Sequence, residues 1–229
     1  MRFVLNVLRP FIWFLCRILF RIEFHGVENI PPSGACIIAP NHITYADPIW
    51  ITIPVRRRVY YMAWDKPFEI PVLGLLMRVF GAFPVNVENA DAGAHRAAVA
   101  VLRSEGALVV FPEGGRTKSG RLEPFKPGAF RLALRYGAPV VPVTIQGAYD
   151  IWPVGRVLPR PGKLTITYHP AIEVTPMEKG LSRQELKERA NLLARSTREA
   201  VASALDTASL PEDDTPVSDM KARAQKENA

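Results

Sequence analysis

"ALVVFPEGGRTKSG", residues 107–120, passes from a continuous apolar run straight into a polar loop with two glycines. A short apolar run bounded by turn residues reads as a buried strand. Its loop carries Glu113, Arg116, Thr117 and Lys118, and in α/β sheets the residues that do chemistry lie just beyond strand ends. Glycine lets a backbone approach a ligand closely. A guanidinium beside a carboxylate offers one group for a phosphate and another for a hydroxyl. The same residues would also suit a solvated turn closed by a surface ion pair.

Outward from this stretch, six further apolar runs recur: "RIEFHG", "ACIIAP", "RVYYMAW", "GAFPV", "PVVPVTI" and "KLTITYH". They alternate with helical patterns near residues 47–54, 71–79, 91–104, 127–136 and 182–205, the signature of a sheet covered by helices. The expectation is a single α/β domain over residues 22–206 with a mixed sheet. Residues 207–229 lose apolar periodicity and gather Pro, Asp, Lys and Glu, so a disordered, dispensable tail is expected there.

With 48% apolar residues in 229, the chain can bury a full core as one domain. A net charge of +7 and a pI near 9.6 point to an anionic partner: nucleic acid, anionic lipid or a phosphorylated substrate. No zinc motif, helix-turn-helix signature or aromatic-basic strand supports nucleic acid. Cys16 and Cys36 are too few and too far apart for a disulfide framework or a metal site, which fits a reducing compartment.

Residues 1–21 favour the lipid. The segment "RFVLNVLRPFIWFLCRILFR" is nearly long enough to span a bilayer but is interrupted by Arg9, Pro10 and Arg17, which disfavours a spanning helix. At 100° per residue Arg2, Asn6, Arg9, Arg17 and Arg21 fall within roughly a 120° arc, opposite Phe, Trp, Leu and Ile. Such a helix lies in the membrane interface, its arginines at anionic headgroups. Pro10 is expected to kink it into two pieces. The competing arrangement is an amphipathic helix docked on its own domain.

"NHITYAD", residues 41–47, follows the run "ACIIAP" and puts His42 five positions before Asp47. Alone, the pair is equally a polar strand-to-helix turn with Asp47 as its cap.

Taken together, Asn41, His42 and Asp47, then Phe111, Pro112, Glu113, Gly114 and Arg116 some seventy residues later, resemble the glycerolipid acyltransferases typified by lysophosphatidic acid acyltransferase. Lys66 before "PFEIPVLG", the "FKPG" of residues 125–128 and the "VVPVTI" of residues 140–145 extend the likeness over roughly residues 20–170. The resemblance implies an α/β domain that moves a fatty acyl group from a coenzyme A or acyl-carrier-protein thioester to the hydroxyl of a lysophospholipid, without a metal or other cofactor. It further implies attachment to the cytoplasmic face of a membrane, the bacterial inner membrane being the expected one.

The chemistry fits such a task, because a thioester is already activated and the acceptor hydroxyl needs only to lose its proton. Histidine titrates near neutrality and suits that role, with Asp47 orienting the imidazole. By the same resemblance, Glu113 and Arg116 sit at the acceptor headgroup, Gly114 allows close backbone approach, and Lys66 and Lys126 are further cations. One departure stands out. Where the family carries an arginine for the acceptor phosphate, after the strand "GAFPV", this chain has Asn86. Arg96 or Arg103 on the next helix would have to compensate, or the acceptor is a phosphate-free lipid such as an amino-acid lysolipid. A thioester hydrolase is the other alternative, since the same base can activate water.

Overall fold

The structure, a computed structural model, describes residues 2–85, 92–176 and 182–210. Its centre is a seven-stranded sheet: β1 (Glu23–His25), β2 (Cys36–Pro40), β3 (Val59–Trp64), β4 (Ala82–Val85), β5 (Ala107–Val109), β6 (Val140–Gln146) and β7 (Thr165–Tyr168). Six of the strands fall within one of the seven apolar runs, and β6 exceeds its run by Gln146 alone. The order across the sheet is β1-β7-β6-β2-β5-β3-β4. All neighbours are parallel except β6 and β7, so the sheet is mixed.

The central strands read as continuous apolar runs because both of their faces are covered. Cys36 and Ile38 of β2 and Ala107 and Val109 of β5 point to one core; Ile37, Ala39 and Leu108, one residue out of step, point to the other. The first core is closed by α1 (Arg2–Phe20), α2 (Asp47–Trp50) and α6 (Ala148–Ile151), the second by α4 (Ala92–Arg103), α5 (Gly128–Tyr136) and α7 (Arg183–Ala202). The remaining helix, α3 (Pro71–Val79), follows a 3₁₀ turn, Lys66–Glu69, beyond β3. The pattern of apolar spacing anticipated six of these helices near their observed positions, α1 among them, but not α6, which has only four residues.

The first helix corrects one expectation. α1 runs unbroken from Arg2 to Phe20 with Pro10 inside it; the missing N–H removes one bond of the ladder and leaves the turns on either side in place. The helix also divides its apolar surface. Cys16 and Phe20, one turn apart, are buried, with the Phe20 ring edge-on to Trp50 at 5.4 Å, while Phe11, Phe14, Leu15 and Ile18 remain exposed. Docking on the domain and an outward apolar face therefore coexist.

The direction of the strands decides where the loops gather. β1 and β7 run against the other five, so their N-terminal ends share a sheet edge with the C-terminal ends of β2, β3, β5 and β6. At the far C-terminus, residues 207–210 form a turn in which the Ser209 carbonyl accepts from the Leu122 amide at 2.9 Å. The rest of the expected tail, residues 211–229, lies outside the described residues.

Candidate active site

His42 and Asp47 meet at that shared edge. Asn41, the first residue after β2, continues the strand with its side chain: its Nδ2 donates to the Ile145 carbonyl at 3.0 Å, and the Ile145 amide donates to its Oδ1 at 2.7 Å. This two-way bond to β6 imitates a backbone pairing and fixes the direction in which His42 leaves the sheet. Asp47 is fully buried. Its Oδ2 accepts from the Ile43 amide at 2.6 Å, the Thr44 amide at 2.8 Å and the His42 Nδ1 at 2.9 Å; its Oδ1 accepts from the Thr44 hydroxyl at 2.6 Å. Every neighbour is a donor, so Nδ1 carries the imidazole proton and Nε2 is left with its lone pair. The Phe111 ring stacks on the imidazole at 3.9 Å between centroids, covering one of its faces.

The loop after β5 is tied to the His42 backbone from both sides. The His42 amide donates to Glu113 Oε1 at 2.6 Å, and the Thr117 amide donates to the His42 carbonyl at 2.9 Å. Glu113 is buried, and its other oxygen accepts from the Glu123 amide at 3.1 Å. Both carboxylate oxygens are thus engaged with backbone, where the sequence suggested a contact to the acceptor hydroxyl. Burial pushes the Glu113 carboxyl up to about 8, against the two amides, which pull it down.

Arg116 and Tyr45 bring the two loops together once more. The guanidinium lies over the Tyr45 ring at 3.5 Å from its centroid, a cation–π contact that holds a cation beside the His42 loop. Gly114 has φ +77°, a left-handed backbone that favours glycine, and Lys126 lies across it, its Nζ 2.4 Å from where a Cβ would stand. Lys126 therefore joins the cluster. Lys66 is exposed, 4.0 Å from Glu69, on the wall of a neighbouring cavity that Tyr45 also lines. Arg103 is placed over the Tyr136 ring at 5.9 Å, at the opposite sheet edge, and cannot replace a headgroup ligand. Asn86 lies outside the described residues.

The cavity occupies about 730 Å³ between α2, α3, β3 and β4 and is lined almost wholly by apolar side chains, among them Ile49, Ile53, Met62, Leu73 and Met77. Tyr45 stands at once in its wall and under Arg116, which puts the cavity next to the histidine loop. Its size lies within the roughly 300–1,000 Å³ typical of small-molecule sites. Neither the cavity nor the parts played by Tyr45 and Phe111 could be read from residue order, because each depends on elements distant in the chain.

The bonds of Glu113 make it a positioning residue by geometry, and this predicts a particular kinetic signature. Glu113→Ala frees the His42 amide and is expected to lower kcat about 10²-fold, the scale of a misplaced reacting group, with little change in the acceptor KM. A raised KM at constant kcat would put the carboxyl at the headgroup instead. A pH experiment addresses the same group. The unfolded chain ionises Glu113 near 4.5 while the folded chain keeps the proton to about 8, so the unfolded state binds fewer protons between these values. Stability falls as pH rises through that window. The Tm of Glu113→Gln is therefore expected to gain on that of the wild type from about pH 5 to 8 and to level off above it.

The sequence and the fold are similar to those of known proteins. The acyltransferase family model matches residues 21–146. A chloroplastic 1-acyl-sn-glycerol-3-phosphate acyltransferase of Brassica napus is 32% identical over 139 residues, 59% of this chain and 40% of its own length. A 1-acyl-sn-glycerol-3-phosphate acyltransferase of Borreliella burgdorferi is 29% identical over 156 residues, 67% of this chain and 62% of that protein. The chain thus spans only part of the length of the curated relatives it matches. Among solved structures, the 1-acyl-sn-glycerophosphate (LPA) acyltransferase PlsC of Thermotoga maritima superposes with a TM-score of 0.62 at 27% identity, over 81% of this chain and 73% of that one. With the family model spanning more than half of its residues, and the paired His42 and Asp47 inside the matched segment, this chain belongs to the acyltransferase family.

Proposed function

We propose that the protein transfers a fatty acyl group from a thioester of coenzyme A or acyl carrier protein to the free hydroxyl of a lysophospholipid, with lysophosphatidic acid as the acceptor. The observation that carries this reading is the buried Asp47 bonded to His42 Nδ1 at 2.9 Å, with the histidine loop beside an apolar cavity of about 730 Å³. His42 Nε2 takes the acceptor's hydroxyl proton as that oxygen attacks the thioester carbonyl. The tetrahedral adduct collapses, the carbon–sulfur bond breaks, and the thiolate recovers the proton from the imidazolium. Asp47 stabilises the imidazolium in between. The acceptor oxygen is the nucleophile throughout, so no acyl-enzyme and no cofactor is involved. The apolar cavity holds the acyl chain, and Arg116, with Lys126 close by, receives the headgroup phosphate.

Membrane attachment forms part of the same proposal. The exposed Phe11, Phe14, Leu15 and Ile18 of α1 suit a helix lying in the interface. No helix among the described residues is long and apolar enough to cross a membrane. A monotopic position is the arrangement these features support; the cytoplasmic face is proposed on the family resemblance alone.

The test is incubation of the purified protein with a labelled acyl thioester and a panel of lysolipids. Lysophosphatidic acid is expected to be the best acceptor, with an ester as product; release of free fatty acid alone would make the protein a thioester hydrolase. Arg116→Ala is expected to raise the KM for the phosphorylated acceptor about tenfold or more, the worth of a charge-assisted hydrogen bond, while the KM for the donor stays within a few-fold. Arg116→Lys should recover part of that loss. Equal weakening toward both substrates would move Arg116 to the donor or to a purely structural contact.

A further inference from the structure

The segment between α6 and β7, residues 152–163, takes no part in the chemistry above, yet its construction is unusual for a surface loop. Val157 is 85% exposed and Leu158 is 72% exposed, although the backbone that carries them is bonded to itself. The Trp152 indole N–H donates to the Arg156 carbonyl at 2.9 Å, the Arg156 side chain to the Leu158 carbonyl at 2.9 Å, and the Arg160 side chain to the Asp150 carbonyl. The Arg160 amide closes the base on the Ile151 carbonyl at 3.0 Å, and Ile151 is buried in the core. A floppy loop could fold its apolar tip back on the domain; this one is braced with the tip outward.

Two observations identify what the tip meets. The segment contains Arg156, Arg160 and Lys163 and no carboxylate, which suits an anionic surface. It is also joined to α1: the Gly162 amide donates to the Leu19 carbonyl at 3.2 Å and the Leu164 amide to the Phe20 carbonyl at 2.9 Å. Because β7 runs against β6, the loop enters the sheet at the edge that carries His42 and Glu113. The C-terminal end of α1, the base of the loop and the active site thus share one edge of the sheet.

We propose that residues 152–163 form a second bilayer contact, with Val157 and Leu158 inserted at the boundary between headgroups and acyl chains and Arg156 and Arg160 at anionic headgroups. This rests on the membrane reading of α1 and extends it. A single helix lying in the interface leaves the protein free to roll about the helix axis. A second point beside it removes that freedom and holds the site toward the lipid.

Cys16 and Cys36 are both buried, so Val157→Cys can be labelled selectively with an environment-sensitive fluorophore in the full-length protein. On addition of phosphatidylcholine vesicles containing phosphatidylglycerol, the protein is expected to sediment with the vesicles, and the label to shift to the blue and be quenched by a nitroxide on the acyl chains. Sedimentation without a shift would overturn the loop contact and leave the α1 reading standing. No sedimentation at all would overturn both. A shift on concentrating the protein without lipid would assign the tip to a second copy of the chain and overturn the proposal too. The double variant Val157→Ser, Leu158→Ser is expected to bind these vesicles about tenfold more weakly while turning over a water-soluble short-chain acceptor at the wild-type rate; unchanged vesicle affinity would also overturn the proposal.

Discussion

His42→Ala is expected to slow acyl transfer by about 10²- to 10⁴-fold, the usual cost of losing a general base, and to leave the protein folded. The imidazole is partly exposed and its ring contacts are Asp47 Oδ2 and the Phe111 face. Once it is removed, Asp47 still accepts from the Ile43 and Thr44 amides and the Thr44 hydroxyl, so no buried charge is orphaned. The backbone bonds that position residue 42 also survive, since they use its amide and carbonyl. Single-turnover rates and Tm should therefore separate cleanly: a large loss in the first and a small change in the second. A variant within tenfold of the wild type, at matched Tm, would remove His42 from the chemistry.

Asp47 is expected to behave differently, because it is both a partner of the histidine and a buried structural acceptor. Asp47→Ala would leave the two backbone amides facing an apolar void, at about 1–3 kcal/mol for each unsatisfied donor. It should lose much of its stability together with its activity. Asp47→Asn is the more informative change. Its oxygen can replace Oδ2 before the amides and Nδ1, while its NH₂ group faces the Thr44 hydroxyl, which can turn to accept. The fold and the imidazole tautomer are then kept and only the charge opposite the imidazolium is lost. Activity about 10²-fold down or more, at nearly wild-type Tm, is the expected result. Full activity in Asp47→Asn would mean that no imidazolium forms, and that His42 does not take the acceptor's proton.

The contrast between these two residues shows where the sequence was legible. The seven strands could be located because central strands covered on both faces leave uninterrupted apolar runs, such as residues 107–111. His42 and Asp47 could be paired because they share one loop. Glu113 could be placed near the site but not given its bonds: the acceptor of the His42 amide lies 71 positions away, and nothing in residue order separates a carboxyl facing substrate from one facing backbone. Tyr45 carries no signal in residue order of the Arg116 guanidinium that lies over its ring, 71 positions on. The loop of residues 152–163 mixes prolines, glycines, three basic residues and scattered apolar ones, with no periodicity to mark it, and the reversal of β7 that brings it to the active edge leaves no local trace.

The pairing of β1 with β7 also orders events during synthesis. Glu23 lies opposite Thr165, so the edge strand that follows α1 gains its neighbour only when about 140 more residues have been made, on the order of 7–30 seconds at bacterial and eukaryotic elongation rates. Throughout that interval neither the loop bonds at Leu19 and Phe20 nor the β7 edge exists to receive the helix. α1 thus leaves the ribosome with Trp50 of α2 as an early packing partner but without the β7 edge and the loop bonds that fix its C-terminal end. Fixing the C-terminal end of α1 and closing the outer edge of the sheet are therefore one late event, set by the arrival of β7 beside β1.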